Sequence, residues 1–91
     1  MIYTIRFAKV ALTDIQELKR SEPQAYKKLF KLLEELMEHP YSGTGKPERL
    51  KHYSEPTWSR RITQKHRLIY QINEGTITIL VLSAYGHYKD K

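Results

Sequence analysis

Cysteine is absent from this 91-residue sequence, which removes any disulfide framework and any thiolate metal site. No apolar run approaches the roughly 20 residues that a bilayer-spanning helix needs, and residues 1–10 lack the charged start and unbroken apolar stretch of a signal peptide. An intracellular, cytoplasmic chain with no membrane partner is the expectation. Internal repeats and low-complexity segments are missing as well, and only residues 89–91 read as a flexible tail. The four histidines, His39, His52, His66 and His87, are scattered rather than grouped at ligand spacing, so no metal site is expected. Residues 43–47, Gly-Thr-Gly-Lys-Pro, have neither the spacing nor the hydroxyl of a Walker phosphate loop. Candidate serines lack the elbow and third group of a nucleophilic triad. No cofactor is called for.

What is present suffices for one globular domain over residues 1–91. The chain is 40% hydrophobic and 29% charged, away from the composition of disordered chains and large enough for a single modest core. Residues 1–7 have the β-branched and aromatic content of a short first strand. From Ala8 the period changes, and Ala8, Ala11, Leu12, Ile15 and Leu18 mark an amphipathic helix. Ser21, Pro23 and Gln24 read as the start of a second helix, with Ser21 as cap. Its apolar stripe is Tyr26, Leu29, Phe30, Leu33, Leu36 and Met37, and His39-Pro40 ends it. Short strands are expected at 48–51, 58–63, 67–72 and 76–85, with turns at 64–66 and 73–75. The fold class is therefore α+β, two N-terminal helices packed on one face of a mainly antiparallel, twisted β-sheet. The first strand joins the edge or the middle of that sheet, and the other face stays open.

Charge is unevenly spread. Sixteen Lys+Arg face ten Asp+Glu, a net +6. Residues 43–70 set Lys46, Arg49, Lys51, Arg60, Arg61, Lys65 and Arg67 against only Glu48 and Glu55. Such a concentrated cationic field points to a polyanionic partner, most simply a phosphate backbone. Alternation along a strand puts Arg61 opposite in sense to Ile62, and Arg67 opposite to Leu68 and Tyr70, so both arginines are expected on the open face. Two forked guanidinium groups there would make a phosphate-sized cleft, with the register between the strands left open to one residue. Glu48 as base and His87 as acid would complete the parts of a metal-independent ribonuclease, since RNA supplies its own 2′-hydroxyl nucleophile. Tyr88 could stack on a base or touch a phosphate. Each residue also has an ordinary reading: Glu48 as a surface ion-pair partner, His87 as an exposed histidine, the arginines as a solvated face, and Trp58 as a core or rim anchor.

Gly45-Lys46-Pro47-Glu48, Leu50-Lys51, Trp58-Ser59-Arg60-Arg61-Ile62, His66-Arg67-Leu68-Ile69-Tyr70 and His87-Tyr88 together resemble the YoeB/Txe toxins of bacterial type II toxin-antitoxin systems, within the broader RelE-like, microbial ribonuclease-like group. The motif block covers about a third of the chain, in order. The resemblance implies an mRNA endoribonuclease, an mRNA interferase acting in the A site of the 70S ribosome and held inactive by a YefM/Axe-like antitoxin with an acidic segment. By that resemblance Glu48 is the general base, His87 the general acid, and Arg61 and Arg67 hold the scissile phosphate. Lys51 adds charge and Tyr88 positions the substrate, and Lys46 and Arg60 are expected with Lys51 among the residues that bind the substrate phosphates. Cleavage would pass through a 2′,3′-cyclic phosphate, and a homodimer is a further implied state. Two features depart from the family pattern: the chain continues through Lys89-Asp90-Lys91, and Tyr85 stands where a basic residue is expected. The alternative, in a different class, is a non-catalytic module that uses the same basic face to occupy RNA or the ribosome, or to act as antitoxin co-repressor.

Overall fold

The computed structural model describes residues 2–86. His87, Tyr88 and the expected tail at 89–91 lie outside the described residues. Strand β1, Thr4–Phe7, leads through Ala8 into helix α1, Lys9–Ser21, and then into α2, Pro23–Glu38. Four further strands follow: β2, Glu48–Arg49; β3, Thr57–Arg61; β4, Arg67–Asn73; and β5, Thr78–Ser83. They form one sheet in the order β1-β5-β4-β3-β2. Only the β1–β5 pairing is parallel, which puts β1 at one edge and β2 at the other.

The two helices share a single joint. Glu22 alone separates them, at φ −142° and ψ 76°. Pro23 opens α2 where its missing N–H costs little. The expected Ser21 cap is corrected by the structure: the first helix runs on through Ser21, whose hydroxyl donates to the Glu17 carbonyl at 2.8 Å. A one-residue link leaves it inside α1. Lys19 and Arg20 in the last turn of α1 suit the negative end of the helix dipole, and Pro40 stops α2 after His39.

Between helices and sheet lies the core. Leu18 of α1 and Leu29, Leu32 and Leu36 of α2 pack with Leu68, Tyr70, Ile79 and Val81 of the sheet, all essentially inaccessible to water. Each such leucine contributes about 1.5–3 kcal/mol relative to an exposed one. Two expected core positions are corrected here. Phe30 is 44% exposed, lying edge-on to Tyr26, and Leu12 is 52% exposed. Ala25 and Leu32 are buried instead, because the inner stripe of α2 is rotated away from Phe30.

Candidate active site

Strand register decides which side chains share the outer face of the sheet, because residues directly opposite one another project to the same side. Arg61 of β3 sits opposite Arg67 of β4, Ser59 opposite Ile69, and Glu48 of β2 opposite Ser59. Trp58 and Arg60, opposite Tyr70 and Leu68, belong to the helix side. The register left open by the sequence is thus the one that makes Arg61 and Arg67 a cross-strand pair. Glu48 lies on the same face, and its Oε1 is 3.9 Å from Nη1 of Arg67. Arg61 and Glu48 are exposed, while Arg67 is half-buried. Lys46 and Lys51, both exposed, precede and follow β2 along the chain.

The turn that delivers Glu48 depends on glycine. The Gly45 carbonyl accepts the Arg61 amide at 2.7 Å, so the loop lies against the end of β3. At φ +88° a Cβ on Gly45 would stand 2.8 Å from the Arg61 carbonyl oxygen, and only glycine fits. Lys46 follows at φ +52°.

Arg60 does not join this face, which corrects the expectation that it binds phosphate. It is fully buried, and its guanidinium is consumed within the protein. Nη1 donates to Glu35 Oε1 at 2.6 Å and to the Thr44 carbonyl at 3.3 Å, Nη2 to the Ser42 carbonyl at 2.7 Å and to the His39 carbonyl, and Nε to the Tyr70 hydroxyl at 3.0 Å. Tyr70 in turn donates to the Pro40 carbonyl at 3.0 Å. Residues 39–44 are irregular backbone whose carbonyls need donors, and one planar guanidinium fork supplies three of them, those of His39, Ser42 and Thr44. Desolvation pushes the Glu35 carboxyl up, but hydrogen bonds from the Thr44 amide and hydroxyl and from Arg60, with the Arg60 charge, outweigh it and hold the group below the ordinary carboxylate range. Burial pushes the Tyr70 phenol up, against the opposing pull of Arg60.

Several residues that carry the site were not singled out from the sequence. Ser59, between Glu48 and Ile69 on the outer face, is buried, and its hydroxyl has no partner among the described residues. Asp14 accepts the Ala84 amide at 3.0 Å. Gly86, the last described residue, has its carbonyl on the Arg67 amide at 3.1 Å and its own amide on Nδ1 of His66 at 2.8 Å. Among the described residues there is no cluster of three or more His, Cys, Asp or Glu able to hold a metal ion, and no helix long and apolar enough to cross a membrane.

A two-layer α+β domain with an ionic trio on the outer face of its sheet is the class that the geometry defines. Comparison with known proteins sharpens it. The family model of the YoeB-like toxin of bacterial type II toxin-antitoxin systems matches residues 7–88. Toxin YoeB of Escherichia coli (strain K12) is 36% identical over 70 residues, 77% of this chain and 81% of that protein. The YoeB/ParE toxin from Agrobacterium tumefaciens superposes with a TM-score of 0.86 at 28% identity, over 93% of this chain and 99% of that one. The YoeB of Staphylococcus aureus, solved as a dimer, gives 0.83 at 30% identity, over 97% and 100% of the two chains. It has also been solved in a heterotetrameric complex with YefM, where the match is 0.79 at 30% identity over the same shares. The chain belongs to the YoeB-like family of bacterial type II toxin-antitoxin toxins, and the expected α+β, RelE-like fold is borne out.

Proposed function

We propose that this chain is a cytoplasmic, ribosome-dependent mRNA endoribonuclease that stops translation by cutting in the A site. The observation that carries the reading is the juxtaposition of Glu48, Arg61 and Arg67 on one sheet face, with Gly86, the residue before His87, bonded to the Arg67 amide. A pure RNA binder needs positive charge; it has no use for a carboxylate 3.9 Å from the central guanidinium.

In this reading Glu48 removes the proton of the RNA 2′-hydroxyl, and the 2′-oxygen attacks the adjacent phosphorus. Arg61 and Arg67 stabilise the dianionic phosphorane, with Lys46 and Lys51 contributing longer-range charge. His87 gives a proton to the departing 5′-oxygen as the P–O bond breaks, leaving a 2′,3′-cyclic phosphate and a 5′-hydroxyl. No step calls for a metal. Tyr88 positions the substrate. The partners that follow are the 70S ribosome with its mRNA, and a YefM-like antitoxin whose acidic segment covers the cationic face. The likeness to the S. aureus dimer supports a homodimer.

A cleavage assay with purified ribosomes tests the reading, comparing the native chain with Glu48→Ala and His87→Ala. Cleavage at A-site codons that both substitutions depress, with ribosome binding retained, is expected. A folded, ribosome-bound native chain that leaves the message intact would overturn it in favour of a binding or co-repressor module.

A further inference from the structure

His66 is only 2% exposed, yet both ring nitrogens and one ring face are engaged. Its Nε2 lies 2.6 Å from Glu22 Oε2, at the joint between the helices. Its Nδ1 takes the Gly86 amide at 2.8 Å. The Tyr85 ring lies against it, with centroids 4.5 Å apart and planes inclined at 31°. A backbone N–H can only donate, so Nδ1 presents a lone pair, Nε2 carries the proton, and the Glu22 carboxylate accepts it. One carboxylate therefore selects the tautomer that can receive Gly86.

Residue 86 is thereby held from two sides by consecutive residues, its N–H by the His66 ring and its C=O by the Arg67 amide. Two positions earlier the Ala84 amide is fixed by Asp14. Gly86 itself adopts φ +85°, with nothing within 4 Å of where a Cβ would lie, so backbone conformation and not lack of space calls for glycine. The backbone at residues 84 and 86 is fixed by these bonds. Tyr85, which departs from the family pattern, has a role here as the cover of His66.

We propose that His66, oriented by Glu22 and covered by Tyr85, is a positioning residue for RNA cleavage: by accepting the Gly86 amide it fixes the backbone at residue 86, the residue that precedes His87, the general acid of the proposed reaction. The catalytic half of this rests on the nuclease reading; the clamp itself does not. His66 touches no reacting atom and acts through the backbone of residue 86.

Two substitutions in the full chain separate the bonds. In His66→Asn the side-chain oxygen falls near the place of Nδ1 and can still accept Gly86, while the Glu22 bond is lost. In His66→Gln the amide reaches the place of Nε2 and can still donate to Glu22, while Gly86 loses its acceptor. The measurements are hydrogen exchange at the Gly86 amide and kcat and KM for ribosome-dependent cleavage. The Asn variant should keep Gly86 protected and keep kcat within about threefold of native, whereas the Gln variant should expose Gly86 and lose about 10–100-fold in kcat at nearly constant KM. Equal losses in both, or retention by Gln and loss in Asn, would make His66 a structural link through Glu22 and overturn the proposal. Should both variants fail to fold, Gly86→Ala, which meets no neighbour, replaces them; an unchanged kcat there would overturn it equally. A native chain that does not cleave removes the catalytic half together with the nuclease reading, and exchange at Gly86 then decides the clamp alone.

Discussion

Arg60 and Arg61 are adjacent, carry the same charge and sit in the same strand, but they live in different solvents. Arg60 points to the helices, fully buried, and ties residues 39–44 to the sheet through Glu35 and three backbone carbonyls. Arg61 points outward and faces Arg67 across the strand pair. The inner arginine holds the loop that leads to Glu48; the outer one belongs to the face on which Glu48 lies. A guanidinium is equally suited to both tasks, since its fixed fork can satisfy several carbonyls or two phosphate oxygens. Which task it performs is decided by strand parity alone.

Substitution should separate the two most sharply. Arg60→Ala leaves Glu35 without its cation and three buried-side carbonyls without donors, and should cost about 3–5 kcal/mol in urea unfolding. Arg61→Ala should leave unfolding within about 0.5 kcal/mol of native. Its effect should instead appear in ribosome-dependent cleavage, as a fall of about 10²–10³-fold in kcat/KM. If Arg60→Ala unfolds like the native chain, the inner role is wrong; if Arg61→Ala cleaves like it, the outer role is.

A smaller effect is expected where the two regions meet. Gly45→Ala drives a methyl towards the Arg61 carbonyl and strains a residue at φ +88°, so a loss of about 1–3 kcal/mol should be seen by the same unfolding measurement.

Acid should weaken the inner region before it touches the outer arginines. The Glu35 carboxyl is held below the ordinary carboxylate range in the folded chain, so the unfolded state binds its proton first as pH falls. Its contribution is complete above the ordinary carboxylate value and is lost as pH drops through the lower folded one. The stability difference between native and Glu35→Gln should therefore shrink on acidification, and a constant difference from pH 7 to pH 3 would rule the linkage out. The least effect of all is expected at Phe30→Lys on the exposed side of α2, within about 0.5 kcal/mol, against about 2–5 kcal/mol for Leu29→Ala one residue away.

Parity was the most legible part of the sequence. The alternation that sent Arg61 and Arg67 outward also sends Arg60 inward with Trp58 and Ile62, but a charge at an inner position looks like a ligand until its partners are known. Those partners, Glu35 and the carbonyls of residues 39–44, come from 16 to 25 positions away, beyond any local pattern. The Ser21 cap failed for a related reason, since the length of a helix-helix joint depends on packing that Pro23 does not announce. Glu48 and the arginine pair were visible as chemistry, whereas His66 was not. Its meaning lies in the Glu22 carboxylate and the Gly86 amide, 44 and 20 residues distant, and no spacing rule joins them.

The parallel pairing of β1 with β5 bears on how the chain comes to exist at all. Thr4 pairs with Thr78 and Phe7 with Val81, so the first strand waits for a partner made about 74 residues later, and ladders of such long separation are slow to close. At a synthesis rate of about 5–20 residues per second, that wait is roughly 4–15 s. Throughout it β1 has no sheet to join, and β5 is also the neighbour on which β4, with Arg67, completes its pairing. Until β5 is made, β4 and its Arg67 therefore have β3 as a partner on one side and none on the other.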